Sequence, residues 1–194
     1  MIKIGVLDLQ GGVREHLQLL SKIPNIKPLA VKKKKDFPSL NGLILPGGES
    51  TAINNLLNTF KLKKTIINLA NSGTPIWGTC AGMILLAKEV LGEKRNFLNL
   101  MDITVKRNAY GNQLGSFKTK QLIPALSEEK LPLVFIRAPY IVAKKDKVNT
   151  LLELNGKIVA AEQDNLLATS FHPELTNNLS VHEYFVNKTK KKQL

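Results

Sequence analysis

Residues 75–87 read PIWGTCAGMILLA, and the fold turns on how this stretch divides. Pro75 to Thr79 is a short apolar run with strand character, the residues from Ala81 onward are apolar at helical density, and Gly78 and Gly82 flank the chain's single cysteine, Cys80. A buried strand passing directly into a helix is the repeating step of an α/β sheet. The pattern predicts a strand over 75–79 and a helix over 81–91. Working outward, IKIGVLDL (2–9), KPLAV (27–31) and GLIL (42–45) have the same strand character. Helical spacing recurs over 13–23, 51–60 and 62–73, the last closed by Gly73 as a C-terminal cap. Strand and helix therefore alternate through the first ninety residues, which predicts an open, mostly parallel sheet with helices on both faces.

The second half has another rhythm. Short strand-like runs lie between residues 101 and 174, and Asn155-Gly156 between two of them is a hairpin signal. A helix is expected around 180–189, with the lysine-rich segment 188–194 frayed. The sequence shows no internal repeat and no Gly/Ser-rich linker, so residues 1–194 are read as a single domain to which the second half adds antiparallel strands.

Composition narrows the class. Hydrophobic residues make up 43% and charged residues 22%, ordinary proportions for a globular chain. No apolar run approaches the roughly 20 residues that span a bilayer, and the start of the chain runs straight into a strand pattern without the layout of a signal peptide. A lone cysteine calls for no oxidising compartment, so the expected location is the cytoplasm. Lysine and arginine number 28 against 15 acidic residues, a net charge of +13. Such a surface attracts anions, yet interleaved aromatics, zinc-ligand spacing and a helix-turn-helix pattern are all missing, so nucleic acid is not the expected partner.

Three stretches carry the chemistry. A cysteine set between small residues at a strand-to-helix turn has the layout of a nucleophile elbow, and the helix N-terminus favours a thiolate there. A lone cysteine is equally what a reduced core contains. FHPE (171–174) closes the apolar run LLATSF and places His172 and Glu174 on one stiff corner, a base and its orienting carboxylate if a nucleophile lies nearby. The other two histidines, His16 and His182, stand among polar neighbours in helical segments and read as surface residues. LILPGGES (43–50) ends a strand in a Gly-Gly turn whose N–H groups suit an oxyanion, and it lacks the Gly-Lys-Ser/Thr of a phosphate loop. All three stretches fall at C-terminal ends of predicted strands, where open α/β sheets place their sites.

Taken together, GVLDLQGGVREH, LILPGGEST, GTCAGMILLAKE, RNAYGNQLGSF, VFIRAP and ATSFHPELT resemble, nearly end to end, the class I (triad) glutamine amidotransferases. Within that family, GTCAGMILLA with Met83, Ile84 and Leu85 after the cysteine is similar to the glutaminase subunits of pyridoxal 5′-phosphate synthases. The resemblance implies a flavodoxin-like sheet and hydrolysis of L-glutamine to glutamate and ammonia through a thioester on Cys80. His172 would be the base and Glu174 its orienting group. Gly48 and Ala81 would form the oxyanion hole. Gly47, Gly48, Glu49, Arg107, Ile136 and Arg137 would line the glutamine site, and Asp8 and Gln10 would face a synthase subunit that receives the ammonia. The resemblance implies no metal or cofactor in this chain. A glutaminase serving an imidazole-glycerol phosphate or anthranilate synthase, and a non-catalytic basic binding module, are the alternatives. The chain departs from the family pattern at Asn112, where a basic residue is common, and at Asn177, Asn178 and Ser180.

Overall fold

A computed structural model describes residues 1–107 and 116–191. The first half contains β1 (Ile2–Leu7), α1 (Val13–Ser21), β2 (Ile26–Val31), β3 (Gly42–Leu45), α2 (Ser50–Thr59), α3 (Lys63–Asn71), β4 (Ile76–Thr79) and α4 (Ala81–Leu86). It is followed by β5 (Ala87–Val90), β6 (Met101–Lys106), β7 (Ser116–Gln121), β8 (Leu131–Ile136), β9 (Tyr140–Lys144), β10 (Asn149–Leu154), β11 (Lys157–Gln163), β12 (Leu166–Thr169) and α5 (Ser180–Lys191).

The main sheet runs β2-β1-β3-β4-β12-β11-β9-β6-β5, with β10 paired to β11. From β2 to β12 every pairing is parallel, and β11 and β9 then enter antiparallel. β7 and β8 form a separate antiparallel pair. The expected α/β architecture with added antiparallel strands is what the chain adopts. Asn155 and Gly156 both take positive φ (52° and 71°), the pairing that a two-residue hairpin between β10 and β11 requires.

The central strands are apolar throughout because both faces are covered, and alternate side chains go to opposite layers. Leu43, Leu45, Ile76, Leu166 and Ala168 pack with Ile53 and Leu57 of α2, Ile66 of α3 and the side chains of α4. Ile44, Trp77 and Leu167, which lie side by side in the strand register, point the other way and pack with Val13 and Leu20 of α1 and Val181, Phe185 and Val186 of α5. Helices α1 and α5 thus share one face, and this places His16 and His182 within the core.

Three expectations are corrected. The helix that starts at Ala81 stops at Leu86 rather than running to Leu91. Leu98 and Leu100 N–H groups capture the Leu85 and Leu86 carbonyls at 3.0 and 2.9 Å, and residues 87–90 leave as a strand parallel to β6. Those carbonyls would otherwise accept from the next helical turn, so long-range pairing ends the helix where apolar periodicity could not. The second correction concerns His16 and His182, read as surface residues and fully buried here. The third concerns the lysine-rich segment 188–194, of which residues 188–191 continue α5, with Lys188 on Glu162 at 2.7 Å, and 192–194 lie outside the described residues. No helix among the described residues is long and apolar enough to cross a membrane.

Candidate active site

The register of three neighbouring parallel strands assembles the site. Leu45 of β3, Gly78 of β4 and Ala168 of β12 stand abreast, and Thr79 pairs with Thr169. The loops leaving these strands therefore emerge together at one edge of the sheet, carrying Gly47-Gly48, Cys80 and His172. Cys80 N–H donates to the Thr169 carbonyl at 2.8 Å, and His172 N–H donates to the Val134 carbonyl at 2.8 Å. Both residues are thus fixed by backbone bonds to adjacent elements.

Cys80 is the N-cap of α4 with φ 49° and ψ −101°, a conformation that costs a side-chain-bearing residue about 1–3 kcal/mol. The flanking glycines serve sterics. A methyl group on Gly78 would collide with the Gly82 backbone, and one on Gly82 would collide with the Leu45 carbonyl oxygen. Two Cβ atoms are missing so that α4 can start directly against β3 and β4 with the cysteine at the bend. The Cys80 thiol lies 3.9 Å from the Ile136 carbonyl oxygen. Ala81 follows as the first residue of α4, and the N–H groups of a helix's first turn have no intrahelical partner.

His172 precedes a 3-10 turn (Pro173–Leu175), in which Pro173 stiffens the corner. The turn brings the Glu174 carboxylate back to the ring, and His172 Nδ1 lies 2.7 Å from Glu174 Oε1. Burial works against a charged ring at His172. Hydrogen bonds to Cys80 and Glu174, together with their negative charges, override it and raise the ring to about 10. The ring that favours its charged form thus lies between a sulfur and a carboxylate. Gly47 passes under this ring, since a methyl group there would overlap it.

A cleft of about 430 Å³, within the range of small-molecule sites, opens over Cys80. Gln10, Gly48, Glu49, Arg107, Ile136 and Arg137 line it, as do Cys80, Ala81 and His172. Of the residues singled out in the sequence, Gly47 and Glu174 lie behind His172 instead of on the cleft wall, and Asp8 is half-buried at the end of β1, away from the lining. Ser50, Ile84 and Pro139 also line the cleft. Ser50 adjoins Glu49, Ile84 lies one helical turn beyond Cys80, and Pro139 lies two residues beyond Arg137, so proximity was the available signal. Asn112 lies outside the described residues. Asn178 acts locally, its side-chain oxygen accepting the Ser180 N–H at 2.9 Å where α5 begins.

Glu49 caps α2, accepting from Thr51 and Ala52 N–H at 3.0 and 2.6 Å, and pairs with Arg107 at 3.1 Å. Partial burial opposes its charge, but these N–H donors, the Thr51 hydroxyl and Arg107 together hold its carboxyl below the ordinary range. Gln10 reaches across from the β1–α1 turn, its side-chain oxygen accepting the Glu49 N–H at 2.8 Å. Among the described residues no cluster of side chains has the composition of a metal site.

Residues 6–191 match the SNO glutamine amidotransferase family. The chain belongs to that family. Its relatives in the family include the pyridoxal 5′-phosphate synthase subunit PdxT of Ruminiclostridium cellulolyticum, 55% identical over 95% of this chain and 98% of that one. The PdxT of Haemophilus influenzae is 50% identical over 96% and 97%. The crystal structure of a glutamine amidotransferase superposes with a TM-score of 0.89 at 37% identity, covering 96% of this chain and 98% of the other. The structure of PurLQS from Thermotoga maritima contains a chain that shares the fold alone, with a TM-score of 0.68 at 17% identity over 96% of this chain and 98% of that one.

Proposed function

We propose that this member of the family is a glutaminase that hydrolyses L-glutamine to glutamate and ammonia and hands the ammonia to the synthase partner of a pyridoxal 5′-phosphate synthase complex. The observation that carries the reading is the buried Cys80–His172–Glu174 constellation at the ends of β4 and β12, beside the Gly47-Gly48 turn. The near-full-length similarity to PdxT proteins supports the synthase as partner. A single cysteine agrees with a cytoplasmic setting.

The mechanism starts from the Cys80 sulfur beside the His172 ring. The Cys80 thiolate attacks the side-chain amide carbon of glutamine, and the oxyanion that forms is met by the Gly48 and Ala81 N–H groups. The His172 imidazolium gives its proton to the amide nitrogen, the C–N bond breaks, and ammonia leaves a γ-glutamyl thioester. Neutral His172 then takes a proton from water as the water oxygen attacks the thioester carbon. Collapse expels the Cys80 thiolate, frees glutamate and restores the imidazolium. Glu174 holds the ring orientation throughout.

Arg107 already carries Glu49, so its role is to hold the cleft wall. Arg137 stands on the rim with a left-handed backbone (φ 43°), and we assign its guanidinium to the α-carboxylate of the substrate. The test is ammonia release from L-glutamine by the wild-type chain and Cys80→Ala, each with and without the synthase partner. Activity that rises when the partner is present and vanishes in Cys80→Ala is the expected result. Activity indifferent to the synthase would reject this partner, and wild-type inactivity throughout would reject the glutaminase.

A further inference from the structure

The Glu174 carboxylate is only half accounted for by His172. Its Oε1 takes the His172 contact, whereas Oε2 is buried and has no hydrogen-bond partner of good geometry among the described residues. A buried carboxylate oxygen without a donor is costly, and a group that faces one within reach is of interest. His16 of α1 is that group, its Nε2 standing 3.5 Å from Oε2 and 3.4 Å from the Thr79 hydroxyl. Behind it, His16 Nδ1 lies 2.9 Å from Nε2 of His182 on α5, and both rings are fully buried.

The protons of this pair can be assigned by elimination. Burial holds both rings well below their ordinary range, His182 at about 3, so each is neutral and carries one N–H. If His16 were protonated on Nδ1, it would donate to His182 Nε2. His182 would then carry its proton on Nδ1, which is buried without a partner, and the His16 Nε2 lone pair, although it could accept from the Thr79 hydroxyl, would also face a carboxylate. With both protons on Nε2, His182 donates to His16 Nδ1, His16 donates toward Glu174 Oε2, and the one unmet group is a lone pair on His182 Nδ1. The second arrangement strands no donor and sets no lone pair against a charge.

We propose that His16, backed by His182, is a positioning residue for the catalytic carboxylate, donating from Nε2 to Glu174 Oε2. This proposal rests on Cys80, His172 and Glu174 being the catalytic triad. The donor locks the carboxylate against rotation, so that Oε1 stays on His172 Nδ1. It also favours the anion, so that the His172 proton stays on the ring beside Cys80. The charged and titratable groups facing the triad are His16 from α1, His182 behind it on α5, Glu15 of α1, whose carboxylate flanks Gly12 together with that of Glu174, and Glu49, Arg107 and Arg137 around the cleft. Of these, His16 is the one placed against Oε2. Apolar filling would satisfy a merely structural position between Val13 and Leu20, both of which are hydrocarbon.

The test begins with the wild-type chain labelled with 15N-histidine, because ring-nitrogen shifts report the tautomer directly. Neutral Nε2–H forms for both His16 and His182 are expected at neutral pH. An Nδ1–H or imidazolium form of His16 would overturn the proposal. Two variants then separate positioning from packing. His16→Gln keeps an N–H donor near the same place, and His16→Leu removes it. In His16→Leu the pH profile of Cys80 alkylation by iodoacetamide is expected to move up by about one pH unit, as expected for a lost charge-assisted contact. The kcat for glutamine hydrolysis in the synthase complex should fall at least about tenfold with KM little changed, and His16→Gln should recover most of both. A folded His16→Leu with an unchanged profile and kcat would overturn the proposal, and so would equal impairment of both variants with an unmoved profile. If His16→Leu does not fold, the tautomers and His16→Gln against wild type still decide. Alkylation and the tautomers do not require glutamine turnover, so a failure of the glutaminase reading remains distinguishable from a failure of this one.

Discussion

Gly82 shows how much of the site is decided by single atoms. A methyl group there meets the Leu45 carbonyl oxygen, a backbone atom with no room to retreat. Gly82→Ala should therefore destabilise the fold by roughly 1–3 kcal/mol, read by urea denaturation, and should lower glutaminase activity by displacing Cys80. His172 sets an upper bound on working pH. With the imidazolium held up to about 10, kcat/KM should stay level through neutral pH and fall as pH rises through that value, which a pH–rate profile will show. The residues of this site were legible in the sequence where their chemistry coincided with a turn signal, as with Cys80 between glycines and His172 before proline. His16 was not, because Glu15 and Gln18 suggested a wet surface. Its spacing from Val13 and Leu20 in fact places it on the buried stripe of α1, so periodicity held the answer and local polarity hid it.

At the scale of elements, local chemistry and long-range pairing divide the credit. The hairpin at Asn155-Gly156 needed no tertiary context, because positive φ at both positions is what those residues supply. No atom lies near the missing Cβ of Gly156, so Gly156→Ala isolates backbone strain from crowding. It should cost about 1 kcal/mol in urea denaturation and leave glutamine turnover unchanged. The end of α4 was illegible for the opposite reason. Residues 83–87 are apolar without interruption, and the helix stops because β6 offers a partner strand and residues 98 and 100 take its last carbonyls. Nothing within the segment encodes that competition.

For the whole molecule, charge and buried imidazoles set the conditions of stability. A net charge of +13 repels itself, so added salt should raise the melting temperature, by about 2–4 °C for each kcal/mol of repulsion screened. The histidines give stability two pH limits. His16 and His182 are held below their ordinary range when folded but take up protons near 6.5 once unfolded, so the stability they favour is present above 6.5 and is lost as pH falls from there, for His182 toward about 3. His172 works in the other direction, with its share complete below 6.5 and lost as pH rises through about 10. Chemical denaturation at a series of pH values should trace a plateau between these limits, and His182→Leu should flatten its acid side. The two buried imidazoles also enclose the chain's one tryptophan. Trp77 has ring centroids of His182, His16 and Phe185 at 5.0, 5.5 and 5.6 Å, and its indole N–H is bonded to the hydroxyl of Thr169, on the strand next to the one that leads into Cys80, at 3.0 Å. An excited indole sealed from water emits toward the blue, and a protonated imidazole beside it quenches that emission. The protein therefore carries its own lamp beside the His16–His182 pair, one that dims as those rings gain charge and reddens when the sheet comes apart.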